Sequence, residues 1–258
     1  MTAYDRDLAY IHDTGFTGFA RKAAPGLLRL LRQNRVPGGM VVDAGCGSGV
    51  WARELTDRGY EVLGVDISAY MIRLARRQAP DAQFQVGSFL SAALPPCDAV
   101  TSIGECVNYA FDRRSGRKGL AQFFRRVYGA LRPGGVFVFD IVEPGVAAQG
   151  APQRRFLEGP DWAILLEVRE DRKRKTLTRR IVSFRRVGKL YRRSEEIHRL
   201  HLYSGPELLA ELRQAGFQVR LLGGYGRFRF PPAHVGILAR KPVRRLRGGQ
   251  PILAAAAF

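Results

Sequence analysis

Short apolar runs alternate with amphipathic segments through the first 150 residues. Five runs have the length and composition of buried strands, and they occupy residues 40–44, 61–66, 82–86, 98–103 and 136–142. Segments between them carry apolar residues at helical spacing, at residues 50–58, 68–78 and 119–131. Strands and helices that alternate in this way predict an α/β protein with an open, mostly parallel sheet and helices on both faces.

The pattern changes after residue 150, where apolar and charged residues alternate. Three segments show a two-residue period that is typical of half-exposed antiparallel strands, at residues 161–171, 175–188 and 189–203. Gly188 and Lys189 mark the expected turn between the last two. Ser204 is a candidate cap for a helix at residues 205–217, and two further strands are expected at 218–225 and 234–242.

These patterns divide the chain into five parts. We expect N-terminal lid helices at 1–34, a ligand-binding core at 35–150, an antiparallel β insertion at 151–203, the C-terminal part of the core at 204–241, and a flexible, basic and alanine-rich tail at 242–258.

Composition adds an uneven charge to this division. The formal net charge of the 258 residues is +19, and +15 of it falls on residues 151–258. A field of this sign attracts nucleic acid, acidic lipid or anionic substrates. Arg outnumbers Lys 36 to 6, a bias that genome composition also produces. A solvated basic surface is therefore the simpler interpretation.

The sequence gives no sign of a membrane, secreted or metal-binding protein. No apolar run approaches the roughly 20 residues that span a bilayer, and residues 1–13 do not resemble a signal peptide. We therefore expect a cytoplasmic protein. Cys46, Cys97 and Cys106 show neither paired nor metal-ligand spacing, so we expect reduced thiols and no bound metal.

The segment VVDAGCGSGVW, residues 41–51, places three glycines between a predicted strand and a predicted helix. Glycines at such a turn let a ligand approach the backbone, and the helix N-terminus offers free amides. The spacing Gly45-x-Gly47-x-Gly49 differs from the dinucleotide fingerprint, which needs its third glycine at position 50. No Gly-Lys-Ser/Thr follows, which argues against a P-loop.

Two acids narrow the choice of ligand. Asp43 ends the first strand and suits an ammonium group, whereas Asp66 ends the second strand and suits both hydroxyls of a ribose. A ligand with an amino-acid end, a nucleoside end and no phosphates fits both sites. S-adenosylmethionine is such a molecule.

Three segments resemble class I S-adenosylmethionine-dependent methyltransferases, and in particular their small-molecule members. Residues 41–76 resemble the first two motifs of the family, residues 131–141 resemble its turn into strand five, and residues 201–219 resemble the helix and strand that follow. The resemblance covers roughly residues 35–240. It implies a Rossmann-like, seven-stranded sheet with S-adenosylmethionine as the cofactor.

The resemblance also implies a set of cofactor-binding residues. Asp43 and two glycines would line the methionine end, Asp66 would hold the ribose, and Ile67 would face the adenine. Many family members have an acid where this chain has Ser88, so adenine recognition is expected to use the backbone there. The complete expected set is Asp43, Gly45, Cys46, Gly47, Asp66, Ile67, Met71, Ser88 and Phe89.

The methyl acceptor should lie beyond strand four, where Glu105 is a candidate catalytic residue. Methyl transfer requires a nucleophile placed about 3–3.5 Å from the methyl carbon. Glu105 is suited to orient an acceptor amine, although an acid favoured by a helix dipole is an equal alternative. His198 and His201 lie on opposite faces of one predicted strand, and His201 is the second catalytic candidate. Further substrate candidates are Tyr4, Tyr10 and His12 in the lid, with Asn108, Tyr109, Tyr225 and Arg227.

Three functions remain open, one of them a non-catalytic protein that keeps the fold and binds the ligand. The favoured one is methylation of a small molecule, on nitrogen slightly before oxygen, by a monomer or homodimer. The alternative is an RNA methyltransferase whose basic C-terminal half binds phosphate. The polar, double-proline and aromatic motif of enzymes that methylate nucleobase amines is missing after strand four, which disfavours the alternative.

Overall fold

A computed structural model describes residues 3–147 and 152–243. It confirms an α/β fold with an antiparallel β insertion after the fifth strand. Six α-helices are described: α1 Arg6–Gly15, α2 Gly18–Gln33, α3 Val50–Thr56, α4 Ala69–Gln78, α5 Arg117–Ala130 and α6 Gly205–Gln214. Thirteen strands are described: β1 Gly39–Ala44, β2 Tyr60–Asp66, β3 Gln83–Val86, β4 Cys97–Ser102, β5 Leu131–Val142, β6 Gln153–Gly159, β7 Trp162–Asp171, β8 Thr176–Val187, β9 Leu190–His201, β10 Gln218–Leu222, β11 Gly224–Tyr225, β12 Phe228–Arg229 and β13 His234–Arg240.

Seven strands form the central sheet in the order β10-β13-β5-β4-β1-β2-β3. Strand β13 is antiparallel to both of its neighbours, and the pairs among β1 to β5 are parallel. From β1, the strands β2 and β3 are added toward one edge of the sheet, whereas β4 and β5 are added toward the other. The loops after β1 and β4 therefore diverge and open a crevice at the carboxyl ends of these two strands. The strand order thus brings the glycine loop after β1 next to the segment after β4.

Both faces of the central sheet are covered, which explains its near-continuous apolar strands. Val42 and Val100 point into one core, which α5 and α6 cover, while Val41 and Ala99 point into the other, which α2 and α3 cover. Each of these four side chains is fully buried. Adjacent residues of one strand therefore stabilise opposite layers.

The insertion is a four-stranded antiparallel sheet, in the order β6-β7-β8-β9. Sequence periodicity predicted its last three strands and the turn at Gly188, but not β6. That strand carries exposed side chains at Arg154, Arg155 and Phe156 in succession, so it lacks a clear apolar alternation.

Helix α1 packs across the inner face of this insertion sheet. Leu8 and Ile11 of α1 are buried against Trp162, Ile164 and Ile181. The N-terminal segment, the insertion and the central sheet consequently meet at one edge, beyond the carboxyl ends of β1 and β4.

Within the described ranges, no helix has both the length and the apolar character needed to cross a membrane. The predicted flexible tail falls almost wholly on residues 244–258, which lie outside the described residues.

Candidate functional site

The glycine loop after β1 is held in a left-handed backbone conformation. Gly45, Gly47 and Gly49 have φ angles of 84°, 53° and 82°. A Cβ added at Gly45 would lie 2.6 Å from the Sγ of Cys106, so glycine is needed there for space as well as for conformation. The loop therefore approaches the segment after β4 more closely than other residues would permit.

Asp66, at the end of β2, fixes this loop. Its Oδ2 accepts a hydrogen bond from the backbone N–H of Gly47 at 2.9 Å, and its Oδ1 accepts one from the N–H of Ser68 at 2.8 Å. Each carboxylate oxygen retains a further lone pair. Asp66 thus ties the loop after β1 to the loop after β2 and keeps acceptor capacity for a ligand.

Asp43, at the end of β1, is buried, and no Lys or Arg of the described residues forms an ion pair with it. Its Oδ1 accepts a hydrogen bond from the Thr101 hydroxyl at 2.9 Å, and that hydroxyl accepts one from the Trp51 indole at 3.1 Å. Burial raises the pKa of the Asp43 carboxyl to about 7, against the opposing effect of the Thr101 hydrogen bond. A cationic ligand group would stabilise the ionised carboxylate at this position.

A cavity, which we name the loop cavity, opens beside these residues. All nine residues of the expected cofactor set line it, together with Asp112 from the segment after β4. Asp43, Asp66 and Asp112 give this lining three carboxylates, and no Lys or Arg belongs to it within the described part of the chain. The loop cavity is therefore suited to a cationic ligand.

The segment after β4 is organised by a buried acid, Asp140 of β5. Its carboxylate accepts hydrogen bonds from the backbone N–H groups of Gly104 and Glu105 at 3.0 and 2.7 Å, and from the Tyr225 hydroxyl at 2.9 Å. Burial raises the pKa of Asp140 to about 6, against the effect of these donors. Asp140 thereby holds Glu105 in its left-handed conformation, with φ at 55°.

Glu105 forms a bidentate ion pair with Arg179 of β8. The imidazole of His234 lies 3.6 Å from the same carboxylate. Burial alone would raise the pKa of Glu105, but Arg179 and His234 outweigh it and lower the pKa to about 2. Arg179 also donates to the Tyr109 hydroxyl at 3.1 Å. Glu105 therefore acts on its surroundings through Arg179, and it lines neither of the two cavities described here.

A second cavity, the sheet cavity, lies between α1 and the inner face of the insertion sheet. Aliphatic side chains of β6, β7 and β8 form its floor, among them Leu157, Ile164, Leu166 and Ile181. Seven charged or ionisable residues line it: Arg155, Arg179, His12, His198, His234, Tyr4 and Tyr109. In the ranges that the structure describes, no Asp or Glu belongs to this lining.

The β9 side of the sheet cavity carries a buried Glu196–His198 pair. The Nε2 of His198 lies 2.9 Å from the Oε2 of Glu196. The Glu196 carboxylate also accepts hydrogen bonds from the backbone N–H groups of Tyr4 and Asp5, at 2.9 and 2.8 Å. Glu196 therefore fixes both the histidine ring and the start of the N-terminal segment.

Four aromatic or imidazole side chains border both cavities: Tyr4, His12, Phe16 and Tyr109. The Tyr4 and Tyr109 hydroxyls lie 3.2 Å apart. Burial lowers the pKa of His12 to about 4, so this ring is neutral near pH 7. Its Nδ1 is buried and has no hydrogen-bond partner among the described residues. We name these four residues the aromatic junction.

The remaining expected residues lie away from both cavities. The Asn108 side chain is fully buried and bonded to the backbone of Val142 and His201. His201 lies within 3.5 Å of the Ser115 hydroxyl, and the strand alternation turns His198 inward instead. Tyr225 is buried against Asp140. Arg227 is exposed, and the Tyr10 hydroxyl donates to Asp161 at 2.8 Å.

Several residues of the site were not predicted from the sequence. Asp140 had a recognisable signal, because an acid interrupts the apolar run of β5. Arg179, Glu196 and Asp112 had none, since each is one charged residue among many in its segment. Their importance depends on partners far away along the chain.

A family model described as a methyltransferase domain matches residues 41–135. A putative methyltransferase of Geobacillus sp. (strain WCH70) is 30% identical over 106 residues, which make up 39% of this chain and 41% of that protein. The chain thus matches less than half of the length of this relative.

Solved structures share the fold over a longer range. An S-adenosylmethionine-dependent methyltransferase of Clostridium acetobutylicum ATCC 824 matches with a TM-score of 0.77 at 18% identity, over 92% of this chain and 98% of that one. An amino pentose methyltransferase of Micromonospora echinaspora, solved with S-adenosylmethionine bound, matches with a TM-score of 0.72 at 18% identity, over 93% and 99%.

The segment matched by the family model begins in β1 and ends in β5, so it contains the glycine loop, Asp43 and Asp66. The solved structures extend the likeness to more than nine-tenths of the chain. Residues 41–135 therefore match a methyltransferase domain, and the chain shares the fold of solved S-adenosylmethionine-dependent methyltransferases.

Proposed function

We propose that this protein transfers a methyl group from S-adenosylmethionine to a small molecule, and to nitrogen in preference to oxygen. The observation that carries the proposal is the placement of two cavities of opposite charge on either side of the aromatic junction. The carboxylate-lined loop cavity suits the cationic methyl donor, and the sheet cavity suits the acceptor.

The loop cavity has the chemical groups that this cofactor requires. When bound there, S-adenosylmethionine supplies a methyl group activated by its sulfonium. Asp43 would hold the ammonium of the methionine end, the open glycine loop would approach its carboxylate through backbone N–H groups, and Asp66 would accept from the ribose. Ile67, Met71, Ser88 and Phe89 would surround the adenine, with Cys46 in the loop.

The aromatic junction would place the accepting atom. Tyr4 and Tyr109 bring two hydroxyls to it, and the neutral His12 offers one nitrogen lone pair without adding positive charge beside a sulfonium. Glu105 acts as a positioning residue, because its ion pair fixes the arginine that donates to Tyr109. A neutral amine needs no strong base for this reaction, whereas a hydroxyl does. His12, with its pKa lowered to about 4, is a weak base, which supports nitrogen as the acceptor.

The solved amino pentose methyltransferase supports the same preference. It shares the fold over 93% of this chain. Because that enzyme acts on an amino pentose, the likeness supports an amine acceptor, but it does not point to a particular sugar.

Calorimetry with S-adenosylmethionine, S-adenosylhomocysteine and NAD tests the cofactor part of this proposal. We expect saturable binding of the first two and none of NAD. Transfer of a tritiated methyl group to a panel of amines and alcohols then tests the acceptor part. Binding of NAD alone would overturn the proposal, as would methyl transfer confined to RNA.

A further inference from the structure

We propose that the sheet cavity binds an elongated acceptor with an apolar body and an anionic end, and that Arg155 binds this anionic end. The inference rests on the proposed function, since it assigns the class of acceptor. It concerns the end of the cavity that is remote from the aromatic junction.

Strand register places polar groups at the two edges of the cavity floor. One row across the sheet reads Gln153, Val168, Arg179 and His198, and the next reads Arg155, Leu166, Ile181 and Glu196. Central strands β7 and β8 contribute mainly aliphatic side chains to the floor. The polar ends belong to the edge strand β6 and to β9, the strand next to Tyr4.

This separation sets the length of the acceptor. Neighbouring strands lie about 4.8 Å apart, so β6 and β9 are separated by about 14 Å across three spacings. The accepting atom must lie at the aromatic junction near β9, where His198 and Tyr4 are in ring contact at 4.9 Å. A molecule that also reaches Arg155 therefore spans roughly 10–14 Å, with its middle on aliphatic side chains.

Arg155 is a cation available to an acceptor. No carboxylate of the described residues lies within ion-pair distance of its guanidinium, whereas Arg179 is already neutralised by Glu105. The neighbouring Arg154 points to the other face of the sheet and pairs with Glu167 at 3.0 Å. An unpaired guanidinium at the mouth of a cavity without acids is suited to a carboxylate or a phosphate.

An aliphatic floor distinguishes this acceptor from a bare polar metabolite. Ile164, Leu166, Val168, Leu177 and Ile181 offer methyl groups but no hydrogen bonds to the body of an acceptor. A hydroxyl placed against them would lose its hydrogen bonds to water without replacement, which disfavours binding. The floor thus favours a hydrocarbon chain or ring over a polyhydroxylated body.

Calorimetric titration with decanoate and decylammonium provides the test, on full-length protein saturated with S-adenosylhomocysteine. The two probes share an apolar body and carry opposite charges. We expect decanoate to bind and decylammonium to bind at least about fivefold more weakly, because the cavity lining is cationic. Arg155→Gln should weaken decanoate binding about three- to tenfold and should not weaken decylammonium binding, since it removes a repelling cation.

Arg154→Gln is the matched control, because it removes the same charge one residue away on the outer face. We expect it to change decanoate binding less than twofold. Equal effects of both variants, or equal binding of both probes, would overturn the proposal. Uridine diphosphate glucosamine is an anion with a polar body. If it binds more tightly than decanoate, the proposal that the acceptor has an apolar body is wrong.

The same samples separate this inference from the proposed function. S-adenosylhomocysteine should bind the wild type and both variants alike, since neither arginine lines the loop cavity. If the wild type fails to bind S-adenosylhomocysteine, the proposed function fails. If all three proteins bind it but Arg155→Gln does not weaken decanoate binding, only the assignment of the acceptor fails.

Discussion

The buried carboxylates at the loop cavity and at the sheet cavity differ in their partners. Asp43 and Asp66 are held by hydroxyl and backbone donors, so their negative charge is left for a ligand. In contrast, Glu105 and Glu196 beside the sheet cavity are paired with Arg179 and His198. One cavity therefore keeps its carboxylates available, while the carboxylates beside the other are already engaged by basic side chains of the protein.

This difference directs ligands of opposite charge to different cavities. A cationic ligand is attracted to the first cavity and repelled from the cationic lining of the second, and an anionic ligand has the reverse preference. The aromatic junction between them carries a neutral imidazole and two phenols. Selectivity between the two cavities thus follows from charge before any shape is considered.

The largest expected effect is on stability, on the paired side of this contrast. Arg179→Met leaves Glu105 buried without its main partner, and we expect the free energy of unfolding to fall by about 3–5 kcal/mol. Because the ion pair lowers the pKa of Glu105 to about 2, its contribution is present above the ordinary carboxyl pKa and is lost as the pH falls toward 2. The difference between wild type and variant in urea unfolding should therefore shrink below about pH 4.

Arg180→Met is the control for this variant. Arg180 is the next residue of β8, on the outer face, where it pairs with Glu195 at 2.7 Å and is half exposed. We expect a loss below about 1 kcal/mol. Similar losses for the two variants would show that the inner ion pair has no special role.

On the unpaired side, Asp66→Ala should weaken S-adenosylhomocysteine binding at least about tenfold, and on the order of a hundredfold, since hydrogen bonds to a charged group are worth about 1.5–3 kcal/mol each. The variant removes the carboxylate that would accept hydrogen bonds from the ligand, and it leaves the N–H groups of Gly47 and Ser68 without their partner. Calorimetry measures the change. Asp57→Ala, on the exposed end of α3, removes the same charge and should have less than a twofold effect.

Asp43 makes the cofactor affinity depend on pH. Its carboxyl has a pKa raised to about 7 by burial, and a ligand ammonium binds only the ionised form. We therefore expect the affinity for S-adenosylmethionine to fall as the pH drops below about 7, by up to tenfold per pH unit, and to level off above it. Asp43→Asn should bind more weakly and lose this dependence. A flat profile in the wild type would contradict the assignment.

The smallest expected effect concerns the basic outer face of the insertion sheet. Its arginines are mostly exposed and several pair with Glu167 or Glu195. We expect weak RNA binding at low salt that disappears near physiological salt in filter-binding assays. RNA binding that survives physiological salt would show that this face, and not the sheet cavity, meets the acceptor.

Local sequence patterns were sufficient to predict most of the fold. Ser68 and Ser204 cap their helices as expected, with Ser68 Oγ accepting from the Met71 N–H and Ser204 forming a capping box with Glu207. Such contacts join residues three positions apart, so the sequence reports them directly. Strand β6 was missed because only Leu157 supplies an aliphatic side chain to its inner face.

The acceptor side was harder to predict because its contacts are distant in sequence. Glu196 bonds to the backbone of Tyr4 across 192 positions, and Arg179 pairs with Glu105 across 74. Nothing in a local pattern distinguishes these two residues from the other charges of the insertion. The loop cavity differs, because consecutive strands and loops within residues 41–71 already supply Asp43, Asp66 and the glycine loop of its lining.

Tyr4 joins three otherwise separate parts of the molecule. Its backbone N–H donates to Glu196, its backbone carbonyl accepts from the Ser68 hydroxyl at 2.8 Å, and its own hydroxyl meets that of Tyr109. Its φ of 49° is unfavourable for tyrosine and costs of order 1–3 kcal/mol, so it persists only while those contacts hold it. Because this one residue borders both cavities, any displacement of it would change the walls of both at once.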